Sequence, residues 1–117
     1  MIENNRQLLQ RVIGVPLVSR GSVAGAMIGV AISAPIVQSP GRVGFVFVNL
    51  SVNTIYLTPV GDPSATRGIR VGPGGGTVRC WVLEDGEAVG WEWRAIADAA
   101  GSSYFLLETL IQLVPEV

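Results

Sequence analysis

The segment Gly44–Trp81 reads GFVFVNLSVNTIYLTPVGDPSATRGIRVGPGGGTVRCW, and its punctuation decides the fold. Two runs rich in β-branched and aromatic residues, Phe45–Leu50 and Thr54–Pro59, flank a polar knot, Ser51-Val52-Asn53. Such runs, bounded by turn formers, read as strands. The knot is expected to join them as a hairpin or a sharp corner. Asn49, Ser51 and Asn53 suit that role, because short polar side chains hydrogen-bond local backbone where strand pairing breaks. Gly61–Arg67 follows as a surface loop, with turn chemistry from Asp62-Pro63 and Ser64. Gly68–Val71 predicts a short strand and Gly72–Gly76 a turn. Glycine there permits positive φ or close backbone approach. Thr77–Leu83 is the next strand.

Working outward, Asp85-Gly86 predicts a type I′ hairpin between Thr77–Leu83 and Ala88–Ile96. Within the second run Trp91 and Trp93 alternate with Glu92 and Arg94, which puts both indoles on one face. Asp98–Ser103 turns the chain, and Tyr104–Leu113 is the last strand. Upstream, Val15–Arg20 and Ala26–Val37 read as strands, with Pro35 demoting the end of the second to an edge or bulge. Glu3–Ile13 is the best helix candidate. Leu8, Leu9, Val12 and Ile13 share one face there, and Gly14 with Pro16 closes it. Short strands with turn signals every 8–12 residues favour an antiparallel sandwich or barrel. The expected organisation is an N-terminal helix or arm over residues 1–20 and an all-β domain over residues 21–117.

The chain has 117 residues, of which 49% are hydrophobic and 15% charged. An ordinary globular chain is about 25% charged. So apolar a chain is expected to bury surface in partners, as a homodimer, a homotrimer or part of an assembly. The net charge of −1 gives no electrostatic case for nucleic acid. All eight basic residues are Arg. Arg suits desolvated, bidentate contacts, and genomic base composition accounts for the bias equally well. No secretory signal is expected at Met1–Asn5, which has no basic start and no apolar core directly after it. Between Arg20 and Arg42 the uncharged run is broken by Pro35 and Pro40 and is rich in Gly and Ala, so no membrane span is expected.

The chemistry-bearing residues point away from catalysis. There is no His, no Lys and one Cys, which removes most pairings of nucleophile and base. Cys80, inside a predicted strand, reads as a small buried thiol. Glu84, Asp85 and Glu87 match no calcium loop and read as a solvated turn. Gly72–Thr77 lacks the Lys and the following helix of a phosphate loop. Asp98 and Glu108 have no cleft to make them an acid–base pair. No cofactor and no metal site is expected. Trp91, Trp93 and Tyr104 are a candidate aromatic patch, read first as core packing across a hairpin and second as a ligand or subunit surface.

The string Phe47-Val48-Asn49-Leu50-Ser51-Val52-Asn53-Thr54-Ile55-Tyr56-Leu57-Thr58-Pro59, followed by Gly68-Ile69 and a glycine turn, resembles a pattern of small tailed-bacteriophage virion proteins. Glu92-Trp93-Arg94-Ala95-Ile96 resembles their downstream strand, and the likeness covers Phe45–Leu110. The resemblance implies a jelly-roll-like β-sandwich that decorates or cements a capsid, with the major capsid protein or another virion protein as partner. It also implies a location in the virion, assembled in the host cytoplasm. A tail or head–tail connector subunit and a carbohydrate- or ligand-binding β module are the alternatives. In the virion reading an N-terminal arm supplies the partner contact through Arg6, Leu8, Leu9, Arg11, Val12 and Ile13; the equal alternative is a helix packed on the chain's own sheet, covering a face or an edge.

Overall fold

The structure, a computed structural model, describes residues 17–22 and 25–111. Among these, nine strands build two antiparallel sheets. They are β1 (Leu17–Gly21), β2 (Met27–Ile28), β3 (Ser33–Ile36), β4 (Arg42–Asn49), β5 (Ile55–Thr58), β6 (Ile69–Val71), β7 (Thr77–Trp81), β8 (Trp93–Ala97) and β9 (Ser102–Ile111). One sheet runs β1-β9-β4-β7, with β2 also paired to β9; the other runs β3-β8-β5-β6. β1 pairs with Leu107–Ile111 and β2 with Ser102–Ser103, so the two act as one interrupted edge strand.

The pairs β1/β2 with β9, β3 with β8, β4 with β7 and β5 with β6 nest inside one another. The chain is therefore one long antiparallel ribbon, bent back at β5–β6 and rolled until its two layers face each other. That is the topology of a jelly roll. The expected all-β antiparallel sandwich is what the structure shows.

The roll also explains where local expectations fail. Only β5 and β6 are both successive in the chain and paired; every other connection after β2 carries the chain across to the opposite sheet. The knot at Ser51–Asn53 is thus a corner between β4 and β5 and not a hairpin. Asp85-Gly86 does turn the chain, but β7 and β8 lie in different sheets. The connection is a helical turn, Val82–Asp85, and a 3₁₀ segment, Gly86–Gly90. Asp85 accepts the Trp81 N–H at 2.8 Å, and Gly86 adopts φ 70°. The expected strand Ala26–Val37 is split into β2 and β3. The sheet begins at Leu17, inside the segment assigned to the arm. Residues 1–16, with the helix expected at Glu3–Ile13, lie outside the described residues.

Alternation places Phe45 and Phe47 of β4, Cys80 of β7 and Leu106 of β9 against Ile36, Ile55, Leu57, Trp93 and Ala95 of the other sheet. Phe45 meets Trp93 edge-on with ring centroids 5.1 Å apart, and Phe47 stacks on Tyr104 at 5.1 Å. Each fully buried Phe contributes roughly 1.5–3 kcal/mol of apolar burial. A smaller cluster of Leu17 and Val43 packs with Trp81, Val82 and Ile111. Gly44 makes room for it: a Cβ there would lie 2.6 Å from the Trp81 indole, its cross-strand partner.

The two tryptophans part company. Trp93 is 5% exposed, and its indole N–H donates to the Ala88 carbonyl at 3.0 Å; Trp91 precedes the strand and is 38% exposed. Trp93→Ala is expected to cost about 3–5 kcal/mol, and Trp91→Ala less than about 1 kcal/mol. Urea unfolding of both variants checks this, and equal costs would contradict the placement.

Candidate functional site

The two ends of β4 carry the structure's polar chemistry. At the first end Arg42 is 2% exposed, and its guanidinium is fully used. Nε donates to the Val89 carbonyl at 2.7 Å and Nη2 to the Trp91 carbonyl at 2.7 Å. Nη1 donates to the Val37 carbonyl at 2.9 Å and to Glu108 Oε2 at 2.6 Å. The cation also lies 5.7 Å from the centre of the Phe45 ring. Arg20 Nε donates to the other carboxylate oxygen of Glu108 at 3.0 Å. Burial alone would raise the Glu108 pKa, but the hydrogen bonds from Arg20 and Arg42 outweigh it and hold the carboxyl below its ordinary value. The same bond raises the Arg20 pKa. Nothing in the sequence singled out Arg42 or pairs it with Glu108, which is 66 residues away.

At the second end Asn49 is fully buried. Its amide donates to the Asn53 carbonyl at 2.7 Å and the Val71 carbonyl at 3.0 Å. Its side-chain oxygen accepts the Ser51 N–H at 2.9 Å and the Ser51 hydroxyl at 2.7 Å. The Asn53 amide reaches Ser102 Oγ at 3.0 Å. The glycine turn docks on the same corner, with Gly74 N–H on the Ser51 carbonyl at 2.9 Å and Gly75 N–H on the Asn49 carbonyl at 2.8 Å. Gly74 and Gly75 take φ 71° and 106°, as left-handed turn positions require. The expected role of Asn49, Ser51 and Asn53 is thus realised, atom by atom. Polar side chains alternate inward here, so the apolar residues between them turn outward: Leu50 is 58% exposed and Val52 is 90% exposed.

Two open clefts meet at Trp91. One, of about 360 Å³, is lined by Gln38, Pro59, Gly61, Trp91, Glu92 and Arg94. Arg94 is held beside it by Glu92 at 3.1 Å and Asp62 at 2.8 Å. The other, of about 450 Å³, lies over the small apolar cluster and is lined mainly by Pro40, Val43, Val82, Val89, Trp91 and Ile111. The candidate aromatic patch is not assembled. Trp93 is core, Tyr104 is half-buried against Phe47, and Trp91 stands at the clefts. The candidate partner contacts Arg6, Leu8, Leu9, Arg11, Val12 and Ile13 lie outside the described residues.

Cys80 and Asp98 are engaged in the fold. Burial pushes the Cys80 thiol up to about 12, with Asp85 adding to the effect, so thiolate is scarce at neutral pH. Asp98 accepts the Thr54 N–H at 3.2 Å. Among the described residues no three His, Cys, Asp or Glu gather as a metal set, and no helix is long and apolar enough to cross a membrane. Comparison with known proteins adds no family: no family model, no curated protein and no solved structure matches this chain. The class that fold and site define is a jelly-roll β-sandwich.

Because the folded pKa of Glu108 lies below the unfolded one, its ion pairs contribute fully above the unfolded value, ordinarily 4.5. That contribution fades as pH falls through the folded value. Glu108→Gln is expected to cost roughly 3–5 kcal/mol near neutral pH, because it leaves Arg42 buried without its counter-charge. It is also expected to flatten the loss of stability below about pH 4.5. Denaturant titrations across pH test both, and an unchanged acid limb would contradict the role given to Glu108.

Proposed function

We propose that this chain is a non-enzymatic structural subunit of a tailed-phage virion, a decoration or cement protein that braces the capsid lattice. The observation that carries the reading is the distribution of apolar surface. Met27, Val30, Ile32, Val37, Leu50, Val52 and Val60 are all exposed on a small domain. A surface this apolar, with 15% charged residues overall, favours burial against other subunits. The jelly roll supports it, since viral capsid domains use this architecture, as lectin domains also do. The Asn49-Ser51-Asn53 corner and the glycine turn are the residues that carry the resemblance to virion proteins. With Glu108, Asp85, Asp98 and Cys80 tied into structural bonds, the reading requires no reaction.

On this reading the partners are the major capsid protein or a neighbouring virion protein and further copies of the chain, a homodimer or homotrimer. Neither nucleic acid nor membrane takes part. The protein acts in the virion, assembled in the host cytoplasm, and stabilises it by mass action, because it binds the closed lattice and not the separated subunits. One observation favours a second reading, a carbohydrate-binding module: the exposed Trp91 indole shares an open cleft with Gln38, Glu92 and Arg94. A tryptophan face with polar side chains around it suits a sugar ring. Titration of Trp91 fluorescence with oligosaccharides separates this reading from the first.

Purified virions stripped of the protein are expected to lose their genome at lower temperature than intact ones, and added protein is expected to rebind and restore the difference. Absence of the chain from purified particles, or stripping without thermal effect, would contradict the cement role.

A further inference from the structure

Trp91 carries an indole that the core does not use. It belongs to neither apolar cluster and is 38% exposed. Its backbone, by contrast, is fixed on both sides. The Trp91 N–H donates to the Ala88 carbonyl at 3.1 Å, and the Trp91 carbonyl accepts Nη2 of the buried Arg42 at 2.7 Å. An exposed ring on an anchored backbone is a platform set before any ligand arrives, and a preorganised contact loses little freedom on binding.

The cleft of about 360 Å³ brings polar groups to that ring. Its size falls in the range of small-ligand sites. Arg94 is held there from two parts of the chain, by Glu92 on Nε at 3.1 Å and by Asp62 on Nη1 at 2.8 Å. Nη2 of Arg94 and the second oxygens of Glu92 and Asp62 carry no hydrogen bond among the described residues. Spare donors and acceptors therefore stand in one cluster, and the Gln38 amide adds one group of each kind. Charge is balanced as well. The two charged lining groups, Glu92 and Arg94, are opposite in sign. Of the groups beside them, Asp62 and Arg67 cancel in turn; Arg67 Nη1 lies 3.5 Å from where a Cβ on Gly61 would stand. Such a cleft has no net charge with which to select an anion or a cation.

We propose that this cleft takes an uncharged pyranose, its C–H face on the Trp91 indole and its adjacent hydroxyl groups between Arg94 and the carboxylates of Glu92 and Asp62. Each hydroxyl both donates and accepts. Neighbouring hydroxyls can therefore meet the guanidinium and a carboxylate together. The carboxylate of an acidic sugar would be set against two carboxylates already in place, and the ammonium of an amino sugar against the guanidinium. The inference rests on the carbohydrate reading of the cleft and narrows it to neutral sugars, with Arg94 as the residue that sets specificity.

An array of neutral hexose and N-acetylhexosamine oligosaccharides, beside uronate, sialylated and amino-sugar glycans, tests it with the full-length protein. Calorimetry then compares the neutral glycan bound best with its charged counterparts. The neutral glycan is expected to bind with an affinity that changes by less than about twofold between low and high salt, because no net charge is screened. Charged counterparts are expected to bind more weakly by about tenfold or more. Trp91→Ala removes the ring contact, and Arg94→Lys keeps the charge but loses the planar fork. Each is expected to weaken binding by roughly tenfold, with a melting temperature close to wild type. Failure to bind any glycan, or wild-type binding by Trp91→Ala, would overturn the carbohydrate reading and this inference together. A preference for acidic or amino glycans, an affinity that falls steeply with salt, or wild-type binding by Arg94→Lys would overturn this inference and leave that reading standing.

Discussion

A fully buried guanidinium is the interaction on which the rest of this structure depends. Moving a charge out of water is costly unless it is paired and its donors are met. Arg42 meets both conditions, with Glu108 as counter-charge and three backbone carbonyls, Val37, Val89 and Trp91, as further acceptors. Those carbonyls belong to two different crossings between the sheets. Val37 follows β3 as the chain passes to β4, while Val89 and Trp91 lie where it passes from β7 to β8. One side chain therefore latches two crossings to β4 and, through Glu108, to β9. The crossings also touch directly, since Ser39 N–H donates to the Gly90 carbonyl at 2.9 Å. Gly90 must be small there, because a Cβ would lie 2.9 Å from the Ser39 oxygen.

Asn49 does the corresponding work at the other end of the same strand. Its amide and carbonyl hold the β4–β5 corner, and its neighbours hold the glycine turn before β7 and the turn before β9. A rolled ribbon has this requirement built in. Its layers are joined by crossings at the two ends, and each crossing exposes backbone groups that no ladder can satisfy. Placing a multivalent polar side chain at each end of the central strand satisfies them and leaves the space between for Phe45 and Phe47.

The two ends were not equally legible in the sequence. The Asn49 corner could be read because part of its chemistry is local: the bonds among Asn49, Ser51 and Asn53 join residues two to four apart, and Asn and Ser in a turn announce them, whereas the bonds to Val71 and Ser102 gave no such signal. The Arg42–Glu108 pair gave no local signal, since a lone Arg beside a Ser-Pro-Gly turn looks like any surface charge. Asp85-Gly86 was read as a hairpin because a turn dipeptide fixes the bend and says nothing of which sheet the chain enters next. The Trp91 and Trp93 alternation misled for a related reason: Trp91 precedes the strand, so period two does not extend to it. The fold class survived these errors because it rests on the number and spacing of strands and not on any single connection. Function was less legible still, because a jelly roll is shared by proteins that do unrelated things.

If Arg42 is the latch, the two crossings it holds should open together. Arg42→Lys keeps the charge and removes the planar fork that reaches several carbonyls at once. Native-state hydrogen exchange on this variant tests the claim most directly. The account predicts that the amides of Ser39 and Trp91, on different crossings, lose protection by similar factors, while those of Gly74 and Gly75 at the Asn49 end keep theirs. Loss confined to one crossing, or spread evenly over both ends of β4, would contradict it.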